Sequence, residues 1–262
     1  KIIQLDIAAE TISTNVAAEV ALVGDGKAVV SQLNDALDQR PWQYPKETDW
    51  RGDLSNKATE NLDAVAGMSN DNSSPMNYYR AYRDIVNWLP SDAIIIGEGA
   101  NTMDIGRTQM FNSGPRQRLD AGTYGTMGVG LGFMIAAAVV HPDRPIIGVQ
   151  GDSAFGFSGM EVETAVRYKL PIKLIVLNNG GIAGGEEKLP PDGEYPGTML
   201  TAGAHYEGIM EAFGGKGFYV TDPADLQAAL DAAIAFPGPA LINVLIHPKA
   251  GRKPQPFAWL TT

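Results

Sequence analysis

The 262-residue sequence contains no cysteine, which excludes disulfides and thiolate metal sites. Histidine is scarce. His141, His205 and His247 are the only three, and none is spaced with another as a metal set or a catalytic triad. Basic residues are outnumbered 20 to 30, giving a formal charge of -10. This argues against nucleic acid as a partner, because that binding needs a basic footprint. A phosphorylated ligand stays open, since a helix terminus or a metal can override the global sign locally. No apolar run reaches the length of a membrane span. The richest, Val129 to Val140, is short and rich in small residues, so it reads as a buried helix. No secretory signal pattern is visible, which leaves the cytoplasm as the expected location. The chain opens on Lys1-Ile-Ile-Gln-Leu-Asp-Ile7 rather than on methionine. That opening reads as a strand already in progress and predicts further sequence ahead of it.

Glycine (30) and proline (17) are abundant, beside an apolar fraction of 44%. The pattern along the chain is strand, turn, helix, repeated. Ile2–Ile7 and Val20–Val23 read as strands, with a short acidic helix start around Ala8–Ile12. Lys27–Leu37 has apolar residues at helical spacing. Residues 38–74 are polar and punctuated by Pro41, Pro45, Gly52 and the tract Ser69-Asn-Asp-Asn-Ser-Ser-Pro75, which predicts a connecting region with one helix. From Pro75 the expected order is helix 78–89, strand 93–96, helix 126–140, strand 145–150, helix 158–168, strand 172–177, helix 205–213, strand 217–220, a helix from Asp222-Pro223 to Ala235, and strand 239–246. Asp222 and Pro223 suit a helix start because proline is tolerated in the first turn. The β-branched, non-alternating strands predict an α/β fold, a mostly parallel sheet with helices on both faces. The expected divisions are 1–37 as the end of an α/β domain, 38–74 as linker, and 75–262 as the second domain.

The strongest local signal is Gly151 to Asn179. The strand Arg144–Gln150 runs into Gly151-Asp152-Ser153, and the strand Ile172–Leu177 runs into Asn178-Asn179. Ligands of such sheets bind beyond the carboxyl ends of the strands. A small hard dication wants an octahedron of oxygens. Asp152 offers a carboxylate, Asn179 a carboxamide, and the Gly180-Gly181 turn a backbone carbonyl clear of side chains. Magnesium suits that set better than zinc, which recruits His or Cys. Ser153, Ala154 and Phe155 lie just past the aspartate, so their N–H groups are expected to meet phosphate oxygens. Taken alone, Asp152 reads as a helix cap and Asn178-Asn179-Gly180 as a turn; the combination at two strand ends favours the cation.

These residues resemble the cofactor motif of thiamine-diphosphate-dependent enzymes. The string Gly151-Asp-Ser-Ala-Phe-Gly-Phe-Ser-Gly-Met-Glu-Val-Glu-Thr164 resembles a narrower branch, the 2-hydroxyacyl-CoA lyases and oxalyl-CoA decarboxylases. Glu98-Gly-Ala-Asn-Thr-Met-Asp-Ile-Gly-Arg107, Arg118–Phe133 and Arg252–Leu260 resemble the lyase more closely. The resemblance covers about residue 75 to the end. It implies the thiamine-diphosphate-binding fold, preceded in residues 1–37 by the tail of a Rossmann-like middle domain, which in the complete protein can hold ADP. It implies Mg²⁺ held by Asp152, Asn179 and the Gly181 carbonyl, with Tyr78, Ala100, Asn101, Ser153, Ala154 and Ile182 around the cofactor. Met127 would bend the cofactor into its V shape, and the Gly125 carbonyl would accept from the aminopyrimidine. Read bottom-up and without the flanking string, Met127 is an ordinary core side chain, while Tyr78 and Tyr79 are equally packing residues.

The activity so implied is cleavage of a 2-hydroxyacyl-CoA to formyl-CoA and an aldehyde or ketone, reversible as a condensation. Oxalyl-CoA decarboxylation is the alternative. An acetolactate-synthase-like enzyme shares the cofactor but has no reason to carry these flanking strings. A non-catalytic cofactor-binding subunit is the reading of a different class. The family needs a glutamate from an N-terminal pyrimidine-binding domain, supplied across a dimer or tetramer interface. No such domain is recognisable in this sequence, so the chain alone is expected to be inactive. Relatives commonly carry tyrosine where this sequence has Ala183. The Pro-rich, acidic stretch Glu186–Tyr195 reads as a lid or mouth loop, in which Glu186 and Glu187 are acid–base candidates or solvated carboxylates. Arg252 and Lys253 suit a coenzyme A phosphate or a solvated tail. A eukaryotic source would point to the peroxisome.

Overall fold

Consecutive apolar residues, rather than alternating ones, make up the centre of the sheet. The computed structural model describes residues 1–185 and 193–254 and divides into two units, Lys1–Thr59 and Glu60–Thr262. In the first unit β1 (Ile3–Asp6) pairs in parallel with β2 (Val20–Val23). A short 3-10 turn at Ala9–Thr11 stands where a helix start was expected. Helix α1 (Gly26–Gln39) follows, capped by the Asp25 carboxylate accepting from the Ala28 N–H at 3.0 Å.

The second unit takes its first residues from the end of α2 (Asp49–Ser69). Its other elements are α3 (Tyr78–Trp88), β3 (Ile94–Glu98), α4 (Ala100–Gln109), β4 (Arg118–Asp120), α5 (Gly130–Val140), β5 (Ile146–Gly151), α6 (Asp152–Ser158), α7 (Val162–Arg167), β6 (Lys173–Asn178), α8 (Glu207–Ala212), β7 (Lys216–Val220), α9 (Pro223–Ala235) and β8 (Ala240–Leu245). All pairings among the six strands β3 to β8 are parallel, in the order β4-β3-β5-β6-β8-β7. Successive side chains point to opposite faces, so each strand feeds two cores. Ile95, Ile147, Val149, Ile175, Leu177, Ile242 and Val244 pack under Tyr82, Ile85, Ile105 and Leu230 on one face. Ile94, Ile96, Ile146, Leu174, Val176 and Leu241 pack under Leu131, Met134, Phe155 and Met210 on the other. Each such fully buried side chain contributes about 1.5–3 kcal/mol of transfer free energy, so the mostly parallel sheet with helices on both faces follows from the composition of its strands.

Three expectations shift. Helix 126–140 begins only at Gly130, because Gly125 and Gly128 take positive φ values of 61° and 89°, conformations that a right-handed helix cannot contain. The helix expected over 158–168 is α7 preceded by a 3-10 turn, with α6 as a separate piece starting at Asp152. Helix α4 and edge strand β4, which pairs Ile95–Gly97 with Arg118–Asp120, were not expected. Helix α9 starts at Pro223 with the Asp222 carboxylate accepting from Ala224 N–H at 2.8 Å, as its sequence implies.

Candidate cofactor and metal site

The strand order makes the carboxyl ends of β3, β5 and β6 neighbours. Register pairs Glu98 with Gln150 and Gly151 with Leu177. Residues 99–101, 151–154 and 178–181 therefore leave the sheet side by side.

Asp152 is the centre of this edge. It is only 2% exposed. Its Oδ2 accepts from the Gly180 and Gly181 N–H groups at 2.7 and 3.2 Å, and its Oδ1 from Ser153 N–H at 2.7 Å. The first-turn carboxylate thus engages one N–H of its own helix without capping it, and it also pins the turn after β6. Burial raises its pKa to about 6, and the N–H groups of Ser153, Gly180, Gly181 and Asn179 pull the other way. None of these partners is a cation. The Ser153 N–H is already engaged by Asp152, which removes it from the group of free donors that the sequence suggested.

Asn179, 3% exposed, accepts from Gly181 N–H at 3.2 Å and donates to the Ala183 carbonyl at 3.4 Å. Asn101 donates to the same carbonyl at 2.6 Å, which ties the start of α4 to the turn after β6. Ala183 adopts φ 64°. The Gly181 carbonyl accepts no hydrogen bond among the described residues. The turn is closed by Ile182 N–H on Thr198 carbonyl at 2.8 Å and Leu200 N–H on Gly180 carbonyl at 2.9 Å, around the antiparallel bridge Gly181–Met199. Tyr78 is buried close to Thr102, Asn179 and Asp152, and burial with the Asp152 charge pushes its hydroxyl pKa above the usual range. Ala154 is buried, Ala100 and Ile182 are exposed, Met127 is half-buried and Gly125 is exposed. Glu186 and Glu187 lie outside the described residues. Arg252 pairs with Asp104 at 2.6 Å, and the Lys253 N–H donates to the Tyr79 hydroxyl at 2.9 Å.

Among the described residues there is no cluster of three or more His, Cys, Asp or Glu able to hold a metal. The donors at this edge are instead one carboxylate, one carboxamide and an unengaged carbonyl, all oxygen. This fits a magnesium ion shared with a phosphate ligand, which supplies the remaining oxygens. A buried carboxylate that, among the described residues, is held only by backbone N–H groups fits the same reading.

Sequence patterning assigns no role to two polar features here. Glu98, fully buried, accepts from the N–H groups of Gly128, Val129 at 3.1 Å and Gly130 at 3.0 Å. A second network backs the asparagine pair. Asn178 donates to Asn243 at 3.2 Å; Asn243 donates to Glu207 at 2.8 Å; Glu207 lies 2.5 Å from the exposed His205 ring. Acidic or amide residues inside otherwise apolar strands, Glu98 and Asn243, were the available signal.

The sequence model of the thiamine pyrophosphate enzymes, C-terminal TPP binding domain, matches residues 99–244. The chain belongs to this family. Its cofactor is thiamine diphosphate, and magnesium is consistent with the family and with the oxygen donors described above. The chain is similar to human 2-hydroxyacyl-CoA lyase 1, 50% identical across 100% of this chain and 48% of that protein. It is also similar to Escherichia coli oxalyl-CoA decarboxylase, 38% identical across 95% of this chain and 44% of that protein. The chain thus spans about half the length of these curated relatives. A solved structure of a Mycobacterium smegmatis protein described as thiamin diphosphate-dependent superposes with a TM-score of 0.69 at 24% identity, over 95% of this chain and 44% of the other. That likeness speaks for the fold.

Proposed function

We propose that the protein carrying this chain is a 2-hydroxyacyl-CoA lyase that cleaves its substrate to formyl-CoA and an aldehyde or ketone, and condenses them in reverse. The observation that carries this reading is the 50% identity with the human lyase along the whole chain, against 38% with the bacterial decarboxylase. Thiamine diphosphate supplies, when bound, a carbon centre that adds to a carbonyl and stores the resulting negative charge.

This chain's residues bind and orient. Asp152, Asn179 and the Gly181 carbonyl hold Mg²⁺ on the diphosphate. Tyr78, Ala100, Asn101, Ser153, Ala154 and Ile182 line the rest of the cofactor. The Gly125 carbonyl would accept from the aminopyrimidine, and Met127 would support the rings of the cofactor. The polar cap over Asp152 supports these roles, because it leaves one buried carboxylate oriented and short of a positive partner. The activating glutamate comes from an N-terminal pyrimidine-binding domain outside these residues, across the interface of a dimer or tetramer. The domain limits 1–37, 38–74 and 75–262, with ADP in the completed middle domain, belong to the same reading. Among the described residues no helix is long and apolar enough to cross a membrane; the expected location is the cytoplasm, or the peroxisome in a eukaryote.

The test is a substrate panel on the complete protein. A 2-hydroxyacyl-CoA should give formyl-CoA and a carbonyl product in equal amounts. Dominant release of carbon dioxide from oxalyl-CoA would overturn the assignment in favour of the decarboxylase.

A further inference from the structure

Strand β4 lies at the sheet edge beyond β3, whereas β5 lies on the other side of β3. The chain that leaves β4 at Asp120 must therefore cross β3 to reach β5. Its first part, residues 121–129, carries Gly125 and Met127. It crosses at the carboxyl end of β3, where Glu98 stands. Three successive N–H groups, of Gly128, Val129 and Gly130, converge on the Glu98 carboxylate. The residue after Glu98 is Gly99, and α4 with Ala100 and Asn101 starts there. One carboxylate thus joins the crossing loop to the segment that begins the other half of the site.

The fit around it is close. A Cβ on Gly130 would stand 2.4 Å from Glu98 Oε2 and 2.0 Å from Gln150 Nε2. Gln150 is fully buried, and neither of its amide atoms has a hydrogen-bond partner among the described residues. Among the described residues no cation pairs with Glu98, and its hydrogen bonds are all from backbone N–H groups. A buried carboxylate this costly to desolvate is held by donors from one loop only, so its removal acts on that loop.

We infer that Glu98 is a positioning residue for the ring end of the cofactor: it fixes the loop bearing Gly125 and Met127 over the sheet, through N–H groups 128–130, without touching the diphosphate. The inference rests on the cofactor placement proposed above. It separates two halves of one ligand, and two probes separate them experimentally. Inorganic pyrophosphate with Mg²⁺ reports the Asp152 end alone. Thiamine diphosphate with Mg²⁺ reports both ends.

Calorimetry on the complete protein should find that Glu98→Gln, which keeps one acceptor oxygen and loses the charge, weakens thiamine diphosphate about tenfold, the scale of one charge-assisted hydrogen bond. Pyrophosphate affinity should change less than about threefold. Glu98→Ala should widen the difference; where it does not fold, Glu98→Gln decides. Amide exchange at residues 122–130 should quicken in Glu98→Gln, with exchange in β5 and β6 unchanged. Equal losses for both probes, or no loss for either, would overturn the inference. Wild-type protein that fails to bind thiamine diphosphate at all would instead sink the proposed cofactor placement, so the two failures are distinguishable.

Discussion

Replacing Asp152 with asparagine should stabilise the metal-free protein at neutral pH while destroying the proposed metal site. The sign follows from the raised pKa, from an ordinary 3.8 to about 6. Between those two values the folded state holds a proton that the unfolded state has released. Stability therefore falls as pH rises from about 4 to about 6, and the full penalty remains above that. The shift of roughly two units corresponds to about 3 kcal/mol. No discount for solvent screening applies at 2% exposure. Asparagine carries no charge, so it escapes this penalty. It keeps one acceptor oxygen for the Gly180 and Gly181 N–H groups, but its amide nitrogen then opposes the Ser153 N–H, which costs about 1–2 kcal/mol. The net gain expected at pH 7.5 is about 1–2 kcal/mol, and it should vanish or reverse near pH 4. Urea unfolding in chelator at both pH values measures it. Mg²⁺-dependent binding of thiamine diphosphate should fall at least about a hundredfold, because a hard ligand and its charge are lost. A variant equally destabilised at both pH values would refute the electrostatic argument, and unchanged cofactor affinity would refute the ligand assignment.

Two further substitutions probe the surroundings. Gly130→Ala places a methyl group 2.0 Å from Gln150 Nε2 and 2.4 Å from Glu98 Oε2, and should cost about 2–3 kcal/mol by overpacking; an unchanged urea midpoint would show that both side chains move freely. Asn243→Leu removes a partner from both Asn178 and Glu207 inside the sheet. It should destabilise by about 2–3 kcal/mol and weaken Mg²⁺ binding, since Asn178 also accepts from Gly180 N–H at 3.2 Å; metal affinity at the wild-type level would uncouple that network from the turn.

Most of the sheet could be read from the sequence because β3, β5, β6 and β8 are apolar on both faces, and that leaves no competing pattern. Asp152 and Asn179 were legible because each directly ends or follows such a run. Helix α2 was legible only as one helix somewhere in a polar region, since Val65 is its single buried residue and no apolar stripe marks its limits. Helix α4 was hidden for a related reason: Ala-Asn-Thr-Met-Asp-Ile-Gly-Arg carries little hydropathic signal, and the helix starts straight after a glycine at φ 100° without a side-chain cap. The late start of α5 was unreadable because the left-handed glycines before it sit where N–H groups 128–130 meet Glu98, some thirty residues upstream. A carboxylate at the end of an apolar strand gives no sign, in one dimension, of which N–H groups it will meet.

The bridge between Gly181 and Met199 has a consequence for variation. The chain leaves the site at Ile182 and returns at Thr198, with the base of the excursion locked by two backbone hydrogen bonds. Closure entropy grows only by about 0.6 kcal/mol for each doubling of loop length. A change in the number of residues between Gly185 and Thr198 therefore carries a small closure cost, and the turn that presents Asn179 and Gly181, held in part by the Ala183 carbonyl, need not move. The proposed metal end of the site and the chain beyond Gly185 are free to evolve at different rates.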